Sequence, residues 1–98
     1  MIREVVLTEL ASYDFEKITD YLFDNYNLKV VSNFLNRFET ISIILAENPE
    51  LFPYIFLDQK IQKCVLTKHN VIYFRVNANI IEILAVFDTR QDPEKLIF

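Results

Sequence analysis

No glycine occurs anywhere in the 98 residues. A Walker-type phosphate loop, a GxGxxG dinucleotide turn and an EF-hand all use glycine where backbone passes close to a ligand or takes positive φ. None of them can be built here. The single cysteine, Cys64, and the single histidine, His69, exclude a disulfide framework, a zinc finger and an HExxH metalloprotease. A Ser-His-Asp triad would need His69 as its base, and no such arrangement is evident. No cofactor and no metal are expected.

With 52% apolar and 24% charged residues, the chain has a globular composition and enough length for one hydrophobic core. Residues 1–98 are therefore expected to form a single domain. Arg3 and Glu4 stand where a signal peptide would begin its apolar run. The most apolar stretch, residues 80–87, contains Glu82 and falls well short of the roughly 20 residues that span a bilayer. A cytoplasmic protein with a reduced Cys64 and no membrane partner is the expectation.

The formal charge of −4 is unevenly spread. Residues 1–50 hold four basic and nine acidic side chains, whereas residues 51–98 hold six and five. Lys60, Lys63, Lys68 and Arg75 follow one another with no intervening acid. Any phosphate-binding surface would be a local patch on an acidic body, since nucleic-acid affinity grows with the number of phosphates neutralised. The same asymmetry fits an ordinary difference between solvated helices and a sheet.

Residues 2–7 alternate and are β-branched, which predicts a strand. Thr8 can then cap a helix whose core face is Ala11, Phe15, Ile18 and Leu22, ending near residues 25–27. A second helix over 29–47 presents Val31, Phe34, Leu35, Phe38, Ile41 and Leu45, and Asn48-Pro49 stops it. The short link between them predicts an αα-hairpin. Residues 54–58, 61–67, 71–77 and 80–87 then read as an antiparallel meander.

With Ala78-Asn79 as a two-residue turn, Ile72, Phe74 and Val76 oppose Ala85, Ile83 and Ile81, while Arg75 opposes Glu82 and Tyr73 opposes Leu84. A three-residue loop of Lys68, His69 and a left-handed Asn70 sets Leu66 and Cys64 against Ile72 and Phe74, Val65 against Tyr73, and Lys63 against Arg75. The predicted fold is α+β: a two-layer β-α-α-β-β-β-β domain, its helical hairpin packed on one face of a mainly antiparallel sheet. The other face stays partly open.

On that open face Lys63, Tyr73 and Arg75 form the leading constellation. Two cations suit a phosphodiester and the charge that builds during its cleavage, and an aromatic ring can stack a base. Equally, Arg75 reads as half of a cross-strand ion pair with Glu82. His69 is the one imidazole, a side-chain type suited to proton transfer, but it sits in a turn, where an exposed polar residue needs no explanation. Arg90, delivered beside the open face by the end of the last strand, is suited to clamp phosphate or carboxylate, or to act as a plain cap. Cys64 falls on the core face as a small hydrophobe. Asp88, Asp92 and Glu94 lack the further ligand that a metal site needs and read as solvated acids.

The order of these segments resembles the RelE/ParE superfamily of bacterial toxins from type II toxin–antitoxin systems. The resemblance runs through Asp14-Phe15, Ile18-Thr19-Asp20-Tyr21, Glu47-Asn48-Pro49, the strand Val71-Ile72-Tyr73-Phe74-Arg75-Val76, and the closing segment from Ile81 to Pro93 with its Thr89-Arg90-Gln91. It implies a growth-inhibiting, plasmid-stabilisation-type toxin neutralised by a small antitoxin whose C-terminal segment wraps it. RelE-like members cleave mRNA in the ribosome without a metal, and ParE-like members poison DNA gyrase. The matching basic positions are Lys63, Arg75 and Arg90, with His69 and Tyr73 as weaker candidates. Asp88 stands where many relatives carry His, and the net charge is negative. Both favour ParE-like gyrase binding over a RelE-like endoribonuclease, with an inactive binding member as a further alternative.

Overall fold

Thr8 is where strand gives way to helix. In the computed structural model, which describes residues 2–90, strand β1 (Glu4–Leu7) ends just before it and helix α1 (Glu9–Asn25) begins just after. Its hydroxyl accepts from the Ala11 amide at 3.2 Å, satisfying one of the unpaired donors of the first turn. Asn27 repeats the device for helix α2 (Leu28–Glu47), accepting from the Val30 amide at 3.1 Å. Only Tyr26 and Asn27 separate the helices, so they form the expected hairpin. Phe15 locks it, packing its ring 5.5 Å from Phe34 and 4.7 Å from Phe38.

Asn48 ends α2, and Pro49–Leu51 makes one 3₁₀ turn. Four strands follow: β2 (Tyr54–Phe56), β3 (Ile61–Val65), β4 (Asn70–Asn77) and β5 (Ile80–Asp88). The sheet order is β1-β5-β4-β3-β2, with β1 parallel to β5 and every other pair antiparallel. This is the predicted α+β architecture. The main core joins Ala11, Phe34, Ile41 and Leu45 of the helices to Cys64, Ile72, Phe74, Ile81, Ile83 and Val86 of the sheet. A smaller cluster of Ile61, Val71, Tyr73, Leu84 and Ala85 lies on the opposite sheet face, which is more buried than alternation predicts. Among the described residues no helix is long and apolar enough to cross a membrane.

Two registers differ from expectation. In the β3–β4 hairpin Lys63 pairs with Tyr73 and Cys64 with Ile72, so Lys63 does not stand opposite Arg75. The slip is two residues, which keeps every side chain on its predicted face while changing its lateral neighbour. Its cause is a turn displaced by one residue, with Leu66 opposite Asn70 and with Thr67, Lys68 and His69, in place of Lys68, His69 and Asn70, as the three loop residues. Leu66 and Thr67 amides both donate to the Asn70 carbonyl, and the Thr67 hydroxyl bonds the Asn70 side chain at 2.8 Å. Asn70 is thereby the first residue of β4 and not a left-handed loop residue; among the described residues positive φ occurs at Lys60 and Ala78.

The second difference is a β-bulge. Arg75–Glu82, Phe74–Ile83 and Val76–Ile81 pair as predicted, but Tyr73 then meets Ala85 and Ile72 meets Val86, leaving Leu84 as the extra residue. Beyond it the faces swap, so Val86 and not Ala85 completes the helix-facing stripe. Thr8 explains the bulge. Its amide donates to the Ile83 carbonyl at 3.0 Å and its hydroxyl to the Leu84 carbonyl at 3.1 Å. Successive carbonyls in a regular strand point to opposite sides, so a bulge is what lets one residue donate to both.

The β4–β5 turn gives a stability test. Ala78 holds φ 55° as the first of two turn residues, a conformation that suits glycine. Ala78→Gly is expected to raise stability by about 0.5–1 kcal/mol and the melting temperature by a few degrees. Ala78→Val should lower both in the same thermal unfolding series.

Candidate functional site

β1 stops opposite Ile83, so among the described residues β5 beyond the bulge has β4 on one side and no strand on the other. Helix α1 runs alongside instead. Asp14 Oδ2 accepts from the Val86 amide at 3.1 Å, supplying the bond that a neighbouring strand would have made. Burial pushes the Asp14 carboxyl above its ordinary value of 3.8, and the Val86 bond and nearby Lys17 only partly offset this.

The space between the helices, the free edge of β5 and the Thr67–Asn70 turn is a groove of about 750 Å³. Leu10, Ile18, Leu22, Val30 and Phe34 give it an apolar lining. Tyr21 and Tyr26 flank it as exposed rings in edge contact at 6.3 Å. Its charges are Asp14, Lys17, Arg37, Asp88 and Arg90, and His69 also lines it. Arg37 is fixed across the fold, its Nε donating to the Leu66 carbonyl at 3.0 Å. Asp88 receives Arg90 three times, from Nε at 3.0 Å, Nη2 at 2.8 Å and the backbone amide at 2.9 Å. The Arg90 hydrogen bonds hold the Asp88 carboxyl below its ordinary value, and Asp88 in turn raises that of Arg90. The His69 carbonyl accepts from the Thr89 amide at 2.9 Å, anchoring the turn to the end of β5.

The five candidate residues divide into two groups. Lys63, Tyr73 and Arg75 lie on the sheet face away from the helices, where Lys63 neighbours Tyr73. Arg75 Nη2 bonds Glu82 Oε1 at 2.9 Å, the cross-strand ion pair that the pairing predicted. Tyr73 is only 9% exposed, and burial raises the pKa of its phenol. His69 and Arg90 line the groove on the other side of the sheet, so Arg90 does not join the open face as expected. Past the bulge Asp88 lies on the same face as Val86, and Arg90 follows it there. Cys64 is buried, with its thiol pushed up to about 11. Asp92 and Glu94, with Gln91 and Pro93, lie outside the described residues.

A family model described as the ParE toxin of type II toxin–antitoxin system, parDE, matches residues 5–93. The chain belongs to the ParE toxin family. A solved chain of the chromosomal ParDE TA system from P. aeruginosa shares the fold, with a TM-score of 0.73 and 15% identity over 89% of this chain and 96% of that chain. No curated protein matches the sequence.

In this ParE-family toxin, sequence reasoning missed Asp14, Lys17, Arg37, Tyr21 and Tyr26. A signal for three of them was present. Leu10, Asp14, Lys17 and Tyr21 recur at steps of four, three and four, a stripe directly beside the core stripe of Ala11, Phe15, Ile18 and Leu22. Arg37 lies one turn after buried Phe34.

Asp14 carries a pH prediction for the toxin. A carboxyl whose folded pKa is raised binds its proton more tightly folded than unfolded. Its contribution is most favourable below 3.8 and is lost as pH rises through the raised value. Asp14→Asn keeps an oxygen for the Val86 amide but has no charge to bury. Its stability relative to wild type is expected to increase from about pH 4 towards neutrality, read from melting curves. A difference that stays constant with pH would show that burial is not the cause.

Proposed function

We propose that this type II toxin acts in the cytoplasm by binding DNA gyrase, and that a small antitoxin neutralises it by occupying the groove beside β5. The observation that carries the first part is the separation of the cations. RNA cleavage needs a phosphate clamp and a proton acceptor within reach of one scissile bond. Lys63 and Arg75 lie on one side of the sheet, His69 and Arg90 on the other, and each arginine is already paired with a carboxylate. Tyr73, its phenol pKa raised, is a poor base near neutrality. An acidic body of charge −4 further disfavours an RNA surface.

Binding asks less of geometry. Lys63 and Arg90 are the residues proposed to contact the target, each through a charge-assisted hydrogen bond. The antitoxin part rests on the groove, whose apolar lining and flanking tyrosines suit a protein segment. ParE-family membership supports such a partner, as does the ParDE system to which the fold is similar.

Induced expression is expected to stop growth with gyrase-dependent DNA breaks and intact transcripts. Lys63→Ala and Arg90→Ala should each lower toxicity about ten- to a hundredfold at an unchanged melting temperature. Cys64→Ala should lower the melting temperature through a core cavity and remove toxicity only in proportion. Codon-positioned mRNA cuts would instead establish the metal-independent endoribonuclease, and unaffected growth an inactive binding member.

A further inference from the structure

The groove's charges are unequal in their commitments. Both of its carboxylates are engaged within the chain, Asp14 by the Val86 amide and Asp88 by Arg90. Lys17 stands 5.3 Å from the Tyr13 ring centroid. Arg37 differs from all of these. Its Nε is tied to the Leu66 carbonyl, 29 residues away, yet it belongs to neither ion pair found among the described residues. A guanidinium fixed through Nε and paired with no carboxylate among the described residues is a preorganised fork, ready to take a carboxylate at little entropic cost.

We infer that Arg37 selects the groove's occupant, and that this occupant is a protein segment presenting an aspartate or glutamate among apolar side chains. The inference rests on the reading of the groove as the antitoxin site and adds the chemistry by which it recognises a partner. Apolar side chains of the segment meet Leu10, Ile18 and Leu22, and its carboxylate meets Arg37 at the edge of that lining. The formal charge supports an acidic partner. Lys17, Arg37 and Arg90 outnumber Asp14 and Asp88 in the groove, although the chain as a whole is acidic. Attraction is therefore local, and it favours a segment that enters this groove over contact elsewhere on the surface. A nucleic acid fits less well, because its continuous phosphates would meet two carboxylates and an apolar wall.

The test uses the intact protein and a displayed library of random 16-residue peptides. Wild type is expected to select peptides with an acid flanked by apolar residues. Arg37→Glu, checked by thermal melting, is expected to select basic residues at that position. A chosen wild-type peptide should bind Arg37→Gln about ten- to a hundredfold more weakly and Lys63→Ala equally well. Leu10→Asn, which spoils the apolar lining without changing a charge, separates the two levels. Peptides weakened by Leu10→Asn but indifferent to Arg37→Gln would overturn the role of Arg37 and leave the groove reading intact. Peptides indifferent to both would overturn the groove reading itself. Selection without acidic enrichment, or displacement of the peptide by a single-stranded RNA 20-mer, would also overturn the inference.

Discussion

Thr8 makes three hydrogen bonds through its hydroxyl and amide, and the shape of the molecule depends on them. Its hydroxyl accepts the Ala11 amide and donates to Leu84, while its amide donates to Ile83. The first bond starts α1; the other two hold the β5 bulge and mark the last contact with β1. Moving the start of α1 by one residue would carry Asp14 away from Val86 and Leu10 out of the groove wall. A cap of this kind is commonly worth about 0.5–2 kcal/mol. Here its larger effect is geometric, because one side chain sets where a strand ends, where a helix begins and where the opposing strand kinks.

The end of β1 at Leu7 in turn leaves room for the groove. Had β1 continued beside β5, the edge from Ala85 to Asp88 would be a paired ladder and no cleft would exist there. An uncovered edge exposes amides that invite another chain. Asp14 closes one of these with a carboxylate, which costs desolvation of a charge but keeps the edge from being filled by regular structure. The outcome is a strand edge guarded by side chains and bordered by apolar surface.

Both helices were legible in the sequence, because caps and three-to-four spacing are local. Thr8, Asn27 and Asn48 mark the ends, and Phe34, Ile41 and Leu45 are buried as their periodicity requires. Leu35, assigned to the same stripe, is 42% exposed, since it falls at the stripe's margin. The sheet was legible only as far as alternation carries information. A slip of two residues in β3–β4 leaves the apolar pattern unchanged, so no pattern argument distinguishes Lys63 opposite Arg75 from Lys63 opposite Tyr73. The Leu84 bulge has no local signature either. Its cause is a hydroxyl 76 residues away, and with no glycine in the chain no residue type flags the site. Arg37 escaped for a related reason: on a helix surface it resembles any solvated arginine until the Leu66 carbonyl is brought to it.

The two arginines that the sequence singled out share a property that bears on what the fold can do. Arg75 is bound by Glu82 across a strand pair, and Arg90 by Asp88 two residues before it. Pairs at the surface that water still reaches, as it reaches both of these, add little to stability, because water screens them and the side chains lose freedom. Their consequence lies in availability: a phosphate approaching either arginine competes with a carboxylate already in place. A catalytic site for RNA needs its cations unpaired and convergent, so that they meet charge as it develops. A recognition surface tolerates the exchange of one carboxylate for another, since the incoming group replaces what the internal one supplied. That exchange leaves specificity to the residues that hold no internal anion. In the groove, Arg37 meets this condition among the described residues while fixed in position by the backbone, and the apolar wall beside it limits which segments bring a carboxylate within reach.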